Sequence, residues 1–161
     1  MTCVARGDVA TALGVASDAL PPGDLPLDRL ATLYARYAAQ AAREEEAPDL
    51  FWTFELMDWL VAHRPDTAWE VLRATLDHCT RAEEVAFLAA GPAEDLIRTH
   101  GPALIDRIAA SAAHSARVRF LLSGVWQGDT PPLLWARIVS ARAPGPALDD
   151  GDPLPPPDAG R

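Results

Sequence analysis

The chain contains no lysine. Its 14 basic residues are all arginine, set against 23 Asp and Glu among 161 residues, for a formal net charge of −9. The arginines are interspersed with acids and form no basic stripe, so binding driven by counterion release from phosphate is not expected and nucleic acid is excluded as a partner. Cysteine is scarce too. Cys3 and Cys79 are too few and too differently placed for a disulfide framework or a zinc knuckle, so both are expected to be plain thiols and no metal is expected. Long apolar runs are missing, and Asp8 interrupts the opening stretch where a signal peptide needs unbroken apolar sequence. The expectation is a cytoplasmic protein with no membrane partner. The patterns HExxH, CxxC, GxSxG and GxxxxGK[ST] do not occur, which removes the usual hydrolase, redox and nucleotide signatures and leaves no cofactor to expect. The triplet Arg6-Gly7-Asp8 has the letters of an integrin ligand, which a cytoplasmic chain would carry by chance.

What the chain has is helical periodicity. Apolar residues make up 49% of it, and no segment shows a sustained strand alternation flanked by hairpin turns, so the predicted fold class is all-α. A first helix is expected over 2–19. After "PPGDLP", Pro26 opens a second, with Leu30, Leu33, Tyr34, Tyr37 and Ala41 as its buried stripe. From residue 49 onward helices alternate with short Pro-containing joints, giving three helix pairs at 49–79, 82–114 and 115–142. Placing Pro65 on Pro102 also places His63 on His100, Leu60 on Ile97, Ala68 on Ile105 and Val71 on Ile108. Such spacing predicts stacked helical hairpins of the HEAT-like kind, or an irregular helical bundle, in a single domain over 1–142. The Pro- and Asp-rich end, 143–161, has almost nothing to bury and is expected to be disordered.

Polar side chains gather most densely in "AAGPAEDLIRTHGP", residues 89–102. Read as helix punctuation, Gly91 closes one helix and Pro92 opens the next. Glu94 and Asp95 then fall in its first turn, where negative charge meets the positive helix end, His100 falls in its last, and Gly101 with Pro102 repeats the joint. Read as chemistry, Glu94, Asp95 and His100 need an additional group from elsewhere, such as His63 or Asp58, because a histidine six residues after a glutamate lies on nearly the opposite helix face. Glu55 and Asp58 are a second candidate pair. They share one face of "LFWTFELMDWLV", a helix apolar on nearly every side, so that face either meets solvent or arginine, with Arg98 and Arg107 as expected partners, or holds perturbed acids. Of the five tryptophans, Trp69 is predicted to be core and Trp126, beside a turn, to be exposed and available as a binding anchor.

Three of these stretches, "ELMDWLVAHRPDTAWEVL", "LAAGPAEDLIRTHGPALIDRI" and "VRFLLSGVWQ", resemble a family of small uncharacterised bacterial proteins with a G-P-x-E-D-L-[IL]-x-x-H-G core followed by G-V-W. The likeness spans roughly 52 to 140. Gly91, Pro92, Glu94, Asp95, Leu96, His100, Gly101 and Trp126 match that pattern, and Ala93 stands where leucine is expected. The resemblance implies a helical domain and no established reaction. Together with the acidic surface and the absence of catalytic signatures, the reading favours a protein-binding module, such as an immunity or accessory protein that sequesters a basic partner. Its binding residues would be Trp126, Glu55, Asp58, Glu94 and His100. The rival is a small-ligand or acid-base enzyme domain using Glu94, Asp95 and His100, or Glu55 and Asp58.

Overall fold

In α3, Phe51–His63, the residues Thr53, Leu56, Met57, Leu60 and Val61 recur at helical spacing and are all buried. This is one wall of the interior in the computed structural model, which describes residues 2–158. Around it lie α2, Leu27–Ala41, whose Leu30, Ala31, Tyr34, Ala35 and Ala38 face inward, and α4, Pro65–His78, which buries Trp69, Val71, Leu72 and Leu76. α2 packs most extensively on α4. Trp69 is 1% exposed, as its stripe predicted, and the fold is all-α apart from one two-residue strand pair.

That strand pair is where the predicted first helix departs from the structure. Cys3 and Val4 pair antiparallel with Pro26 and Leu25, and the helix, α1, runs only over Arg6–Leu13. Gly14 ends it in a left-handed conformation at φ 63°, with its N–H turned back to the carbonyls of Ala10 and Thr11, a conformation glycine adopts at no steric cost. The Arg6-Gly7-Asp8 letters have a structural use. Asp8 receives the Arg64 guanidinium through Nε at 3.1 Å and Nη2 at 3.0 Å, fixing α1 to the joint between α3 and α4.

The joint at Arg64–Pro65 is real, but its expected counterpart at Gly101–Pro102 is not. The chain is helical without interruption from α5, Ala82–Leu88, through one π turn at Ala89–Ala93, into α6, Glu94–His114. Pro102 sits inside α6 on its exposed side, where the carbonyl it leaves unbonded, that of Arg98, belongs to an exposed residue open to water. Pro92 sits in the π turn, whose wider loop relieves the clash a proline ring makes with the carbonyl four residues back. Neither Gly91 nor Gly101 has a positive φ. The punctuation reading of residues 89–102 is therefore corrected: both Gly-Pro pairs shape a continuous rod. The paired apolar positions are buried as expected, but the middle unit is one long helix and the architecture is the irregular bundle rather than a HEAT-like stack.

α7, Ala116–Ser123, is capped by Ser115, whose Oγ accepts from the Val118 N–H at 3.1 Å, and α8, Pro132–Arg142, lies against α6 and α7. From there the segment expected to be disordered runs back over the body in an extended path. Leu148 and Leu154 pack on the core, Pro155 is buried, and the Leu148 N–H donates to Ser123 Oγ at 2.8 Å; residues 159–161 lie outside the described residues. Its two leucines and a buried arginine beneath it supply what a count of prolines and acids missed. Arg117, 4% exposed, donates from Nη1 to the carbonyls of Leu76 and Cys79 at the C-terminal end of α4, and from Nε to the Pro155 carbonyl at 2.9 Å. Thr2 and Asp158 border the same surface cleft as Asp77 and Val118.

Beside Arg117 the Cys79 thiol is buried, and its pKa is pushed up to about 12, first by burial and then by Glu84, with Arg117 acting in the opposite direction and Asp77 adding to the rise. At about pH 8 the folded protein is expected to leave Cys79 unmodified by a thiol reagent that modifies it at once in denaturant. The sign of the pH effect follows. A thiol raised in the folded state stabilises fully below its ordinary value of 9.0, and that stability is lost as pH climbs toward about 12. Denaturation midpoints should fall across this alkaline window, less so in Cys79→Ala.

Candidate functional site

Opposite its buried stripe, α3 exposes Phe51, Phe54, Glu55 and Asp58, which stand at i, i+3, i+4 and i+7 and so share one face. Phe51 and Phe54 remain 46% and 37% exposed. Behind them Tyr37 of α2 is the hub of an aromatic cluster, with ring centroids 6.2 Å from Tyr34, 6.3 Å from Phe51, 5.8 Å from Phe54 and 6.0 Å from Phe87. Such offset and edge-on contacts hold the rings in place although their outer edges are wet.

The π turn supplies the facing wall. Between it and α3 opens a cleft of about 370 Å³, lined by Tyr34, Phe54, Met57 and Pro92 and bordered by the carboxylates of Asp58 and Asp95. Tyr34 forms its floor, and its hydroxyl is held well above the ordinary tyrosine range by burial first, then by Tyr37 and by the negative charge of Asp58. Along the same ridge a second shallow cleft brings Glu45 and Glu46 beside Tyr37 and Phe51. Acid and aromatic edge thus alternate over a continuous strip of surface.

The expected arginine partners of Glu55 and Asp58 are elsewhere. Arg98 pairs with Asp95 at 2.7 Å within α6, and Arg107 reaches Asp66 at 2.6 Å and Glu70 at 3.1 Å on α4. Among the described residues neither Glu55 nor Asp58 has a hydrogen bond or ion pair, so two adjacent carboxylates face solvent unneutralised.

Glu94, Asp95 and His100 are not joined to one another by any hydrogen bond or ion pair among the described residues. Glu94 Oε1 accepts the Trp126 backbone N–H at 2.9 Å and so pins the loop after α7, while Asp95 holds Arg98. His100 is half-buried with its Nε2 enclosed and without a hydrogen-bond partner. His63 stacks on Trp59 with centroids 4.6 Å apart and meets none of the three. A carboxylate does approach an imidazole between α2 and α4, Asp28 Oδ1 to His78 Nε2 at 3.4 Å, at none of the candidate residues. No group of three His, Cys, Asp or Glu among the described residues is arranged to hold a metal ion.

Trp126 is 76% exposed, as its place beside a turn predicted, and Leu133 in the first turn of α8 is 85% exposed. Because Glu94 fixes the backbone under Trp126, Glu94→Ala is expected to cost about 0.5 to 1.5 kcal/mol and to loosen that loop, while Glu94→Gln, which keeps a carbonyl acceptor, costs less. Thermal melts and hydrogen exchange at the Trp126 amide check the ranking. Sequence reasoning missed Phe51, Phe54, Tyr37, Glu45 and Glu46. The signal was present for the first two: their i, i+3 spacing with Glu55 and Asp58 marks a face distinct from Leu56, Met57 and Leu60.

Residues 40–145 match the model of a family described as a family of unknown function. The matched range holds α3 to α8, the π turn and both clefts' α3 wall. No curated protein and no solved structure matches the chain.

Proposed function

The chain belongs to the family of unknown function DUF6869, and from that premise we propose that it is a protein-binding module whose α3 face receives a basic segment of a partner. The observation that carries this reading is the exposed stripe of α3. Two phenylalanines and two carboxylates with no internal partner stand together on one helix face, beside a cleft edged by Asp95. Partly exposed aromatics anchor interfaces, and unpaired acids select a cationic ligand and speed its approach. An arginine side chain fits such a surface in two ways, its guanidinium to Asp58 or Glu55 and its flat face to Phe54. Trp126 and Leu133 are further exposed anchors on the same chain. The role we assign is that of an accessory or immunity protein holding a basic partner in the cytoplasm. Among the described residues no helix is long and apolar enough to cross a membrane.

A synthetic peptide of alternating arginine and leucine serves as the probe. Its affinity should fall steeply as salt is raised, because exposed charges are screened over about 10 Å at 0.1 M. The double variant Glu55→Gln, Asp58→Asn should weaken it by about five- to tenfold, and Phe54→Ala comparably. Affinity indifferent to salt and to these variants would remove the α3 face as the binding surface.

A further inference from the structure

A further pocket is lined mostly by residues that precede the family match, with Trp52 of α3 closing one side. It is a cavity of about 330 Å³ between α1, the turn after it and the start of α2, walled by Val9, Leu13, Leu20 and Trp52. That volume is in the lower range of small-molecule sites, and such sites combine apolar walls with a few polar groups that fix orientation. Here the polar groups are cationic. Arg6 and Arg29 both line the pocket.

In a chain of net charge −9, seven arginines lie against a carboxylate: Arg43, Arg64, Arg73, Arg81, Arg98, Arg107 and Arg137. The two at this pocket do not. Arg6 donates one Nη2–H to the Leu20 carbonyl at 2.8 Å, and its enclosed Nε has no hydrogen-bond partner. Arg29 has no hydrogen bond or ion pair among the described residues. The acid at the border, Asp24, is engaged by the Arg6 backbone N–H at 3.0 Å rather than by either guanidinium. The enclosed Nε of Arg6 is a costly orphan, and neither guanidinium at this pocket has a carboxylate partner among the described residues, so a bound anion would supply the missing counter-charge.

The geometry points to a binding site for a small monocarboxylate with an apolar body. The carboxylate would bridge Arg6 and Arg29 and the body would lie against Leu13, Leu20 and Trp52. Asp24 at the rim selects a singly charged anion over a dianion, because each further negative charge is repelled at close range. The Pro21–Pro22 turn limits the freedom of the wall, so little ordering is needed on binding.

Octanoate is the probe, with octanamide as its neutral counterpart, and the readout is the indole N–H resonance of Trp52, assigned with Trp52→Phe. Octanoate should shift that resonance saturably, with octanamide weaker by about tenfold or more. Arg29→Gln, an exposed substitution that leaves the fold intact, should weaken octanoate by about tenfold, and Arg29→Glu should abolish it. The variant Glu55→Gln, Asp58→Asn should leave the octanoate titration unchanged, which separates this site from the peptide surface on α3. Equal affinity for octanoate and octanamide, an unchanged titration in Arg29→Gln, or no shift at Trp52 with wild-type protein would each overturn the assignment.

Discussion

Arg117→Met is expected to destabilise the protein by about 2 to 4 kcal/mol, well beyond the loss that breaking an exposed ion pair brings. Methionine matches the length and apolar body of the arginine stem, so packing around Val118 and Leu76 is largely kept and the loss isolates the guanidinium. What disappears are the donors to the Leu76 and Cys79 carbonyls, at a helix end where the backbone dipole favours positive charge, and to the Pro155 carbonyl. These acceptors lie around a buried side chain where water does not easily replace the lost bonds. The segment after α8 should be released in the same step. Urea denaturation reads the stability loss, and limited proteolysis should cut between residues 143 and 158 in the variant under conditions that leave the wild type whole. Arg117→Lys should fall between the two, since an ammonium keeps the charge but cannot reach three carbonyls in a fork. A variant with wild-type stability and a protected terminal segment would show that the guanidinium is not what holds them.

Gly101→Val should be the next most damaging, by about 1 to 3 kcal/mol. Glycine inside a helix ordinarily costs stability, and a side chain there would help by about 0.5 to 1 kcal/mol. At Gly101 the sign reverses. A Cβ would come within 2.5 Å of Leu134 Cδ2, so α8 sits directly against the bare backbone of α6. Valine adds two methyl groups to a space already closed by a leucine that is 8% exposed. The same substitution combined with Leu134→Ala should lose less than the sum of the two single changes, because the second opens the room the first needs. Gly91→Ala is the internal contrast: nothing lies within 4 Å of its Cβ position, and it should be neutral or mildly stabilising. Thermal melts of the four variants settle the order. Additive losses at Gly101 and Leu134 would mean that the contact between α6 and α8 is not what requires glycine.

The helices from α2 onward were legible because their apolar residues recur every three or four positions, and Leu30, Tyr34, Trp69, Leu72 and Ile108 are buried where that spacing put them. The Gly-Pro pairs were not. Their local preference is to end a helix, and tertiary packing overrode it, using Gly101 for close approach and absorbing Pro92 in a π turn. The local sequence of residues 89–102 does not distinguish a joint from a continuous rod, since the close packing that requires Gly101 comes from Leu134, on a distant helix. The ordered end segment was hidden for a related reason: the donor that captures Pro155 is Arg117, a long-range partner. At the candidate site, Glu55 and Asp58 were visible as a pair on one face. Their solvation was not, because it depended on where Arg98 and Arg107 found other acids. Trp126 was correctly placed in solvent by its neighbouring turn, whereas the aromatic cluster around Tyr37 is assembled from α2, α3 and α5, three segments whose adjacency no local pattern encodes.

The return of the end segment also brings Asp158 back to the N-terminal part of the fold. Thr2 and Asp158 border one cleft, brought there by the strand pair on one side and by the Arg117 anchor on the other. Joining them by a short linker would close the backbone into a ring without crossing the core. New ends opened in the exposed stretch at Arg43–Glu46, where Glu44 already strains at φ 57°, would give a circular permutant that keeps every long helix whole. Connectivity is thus separable from packing in this bundle.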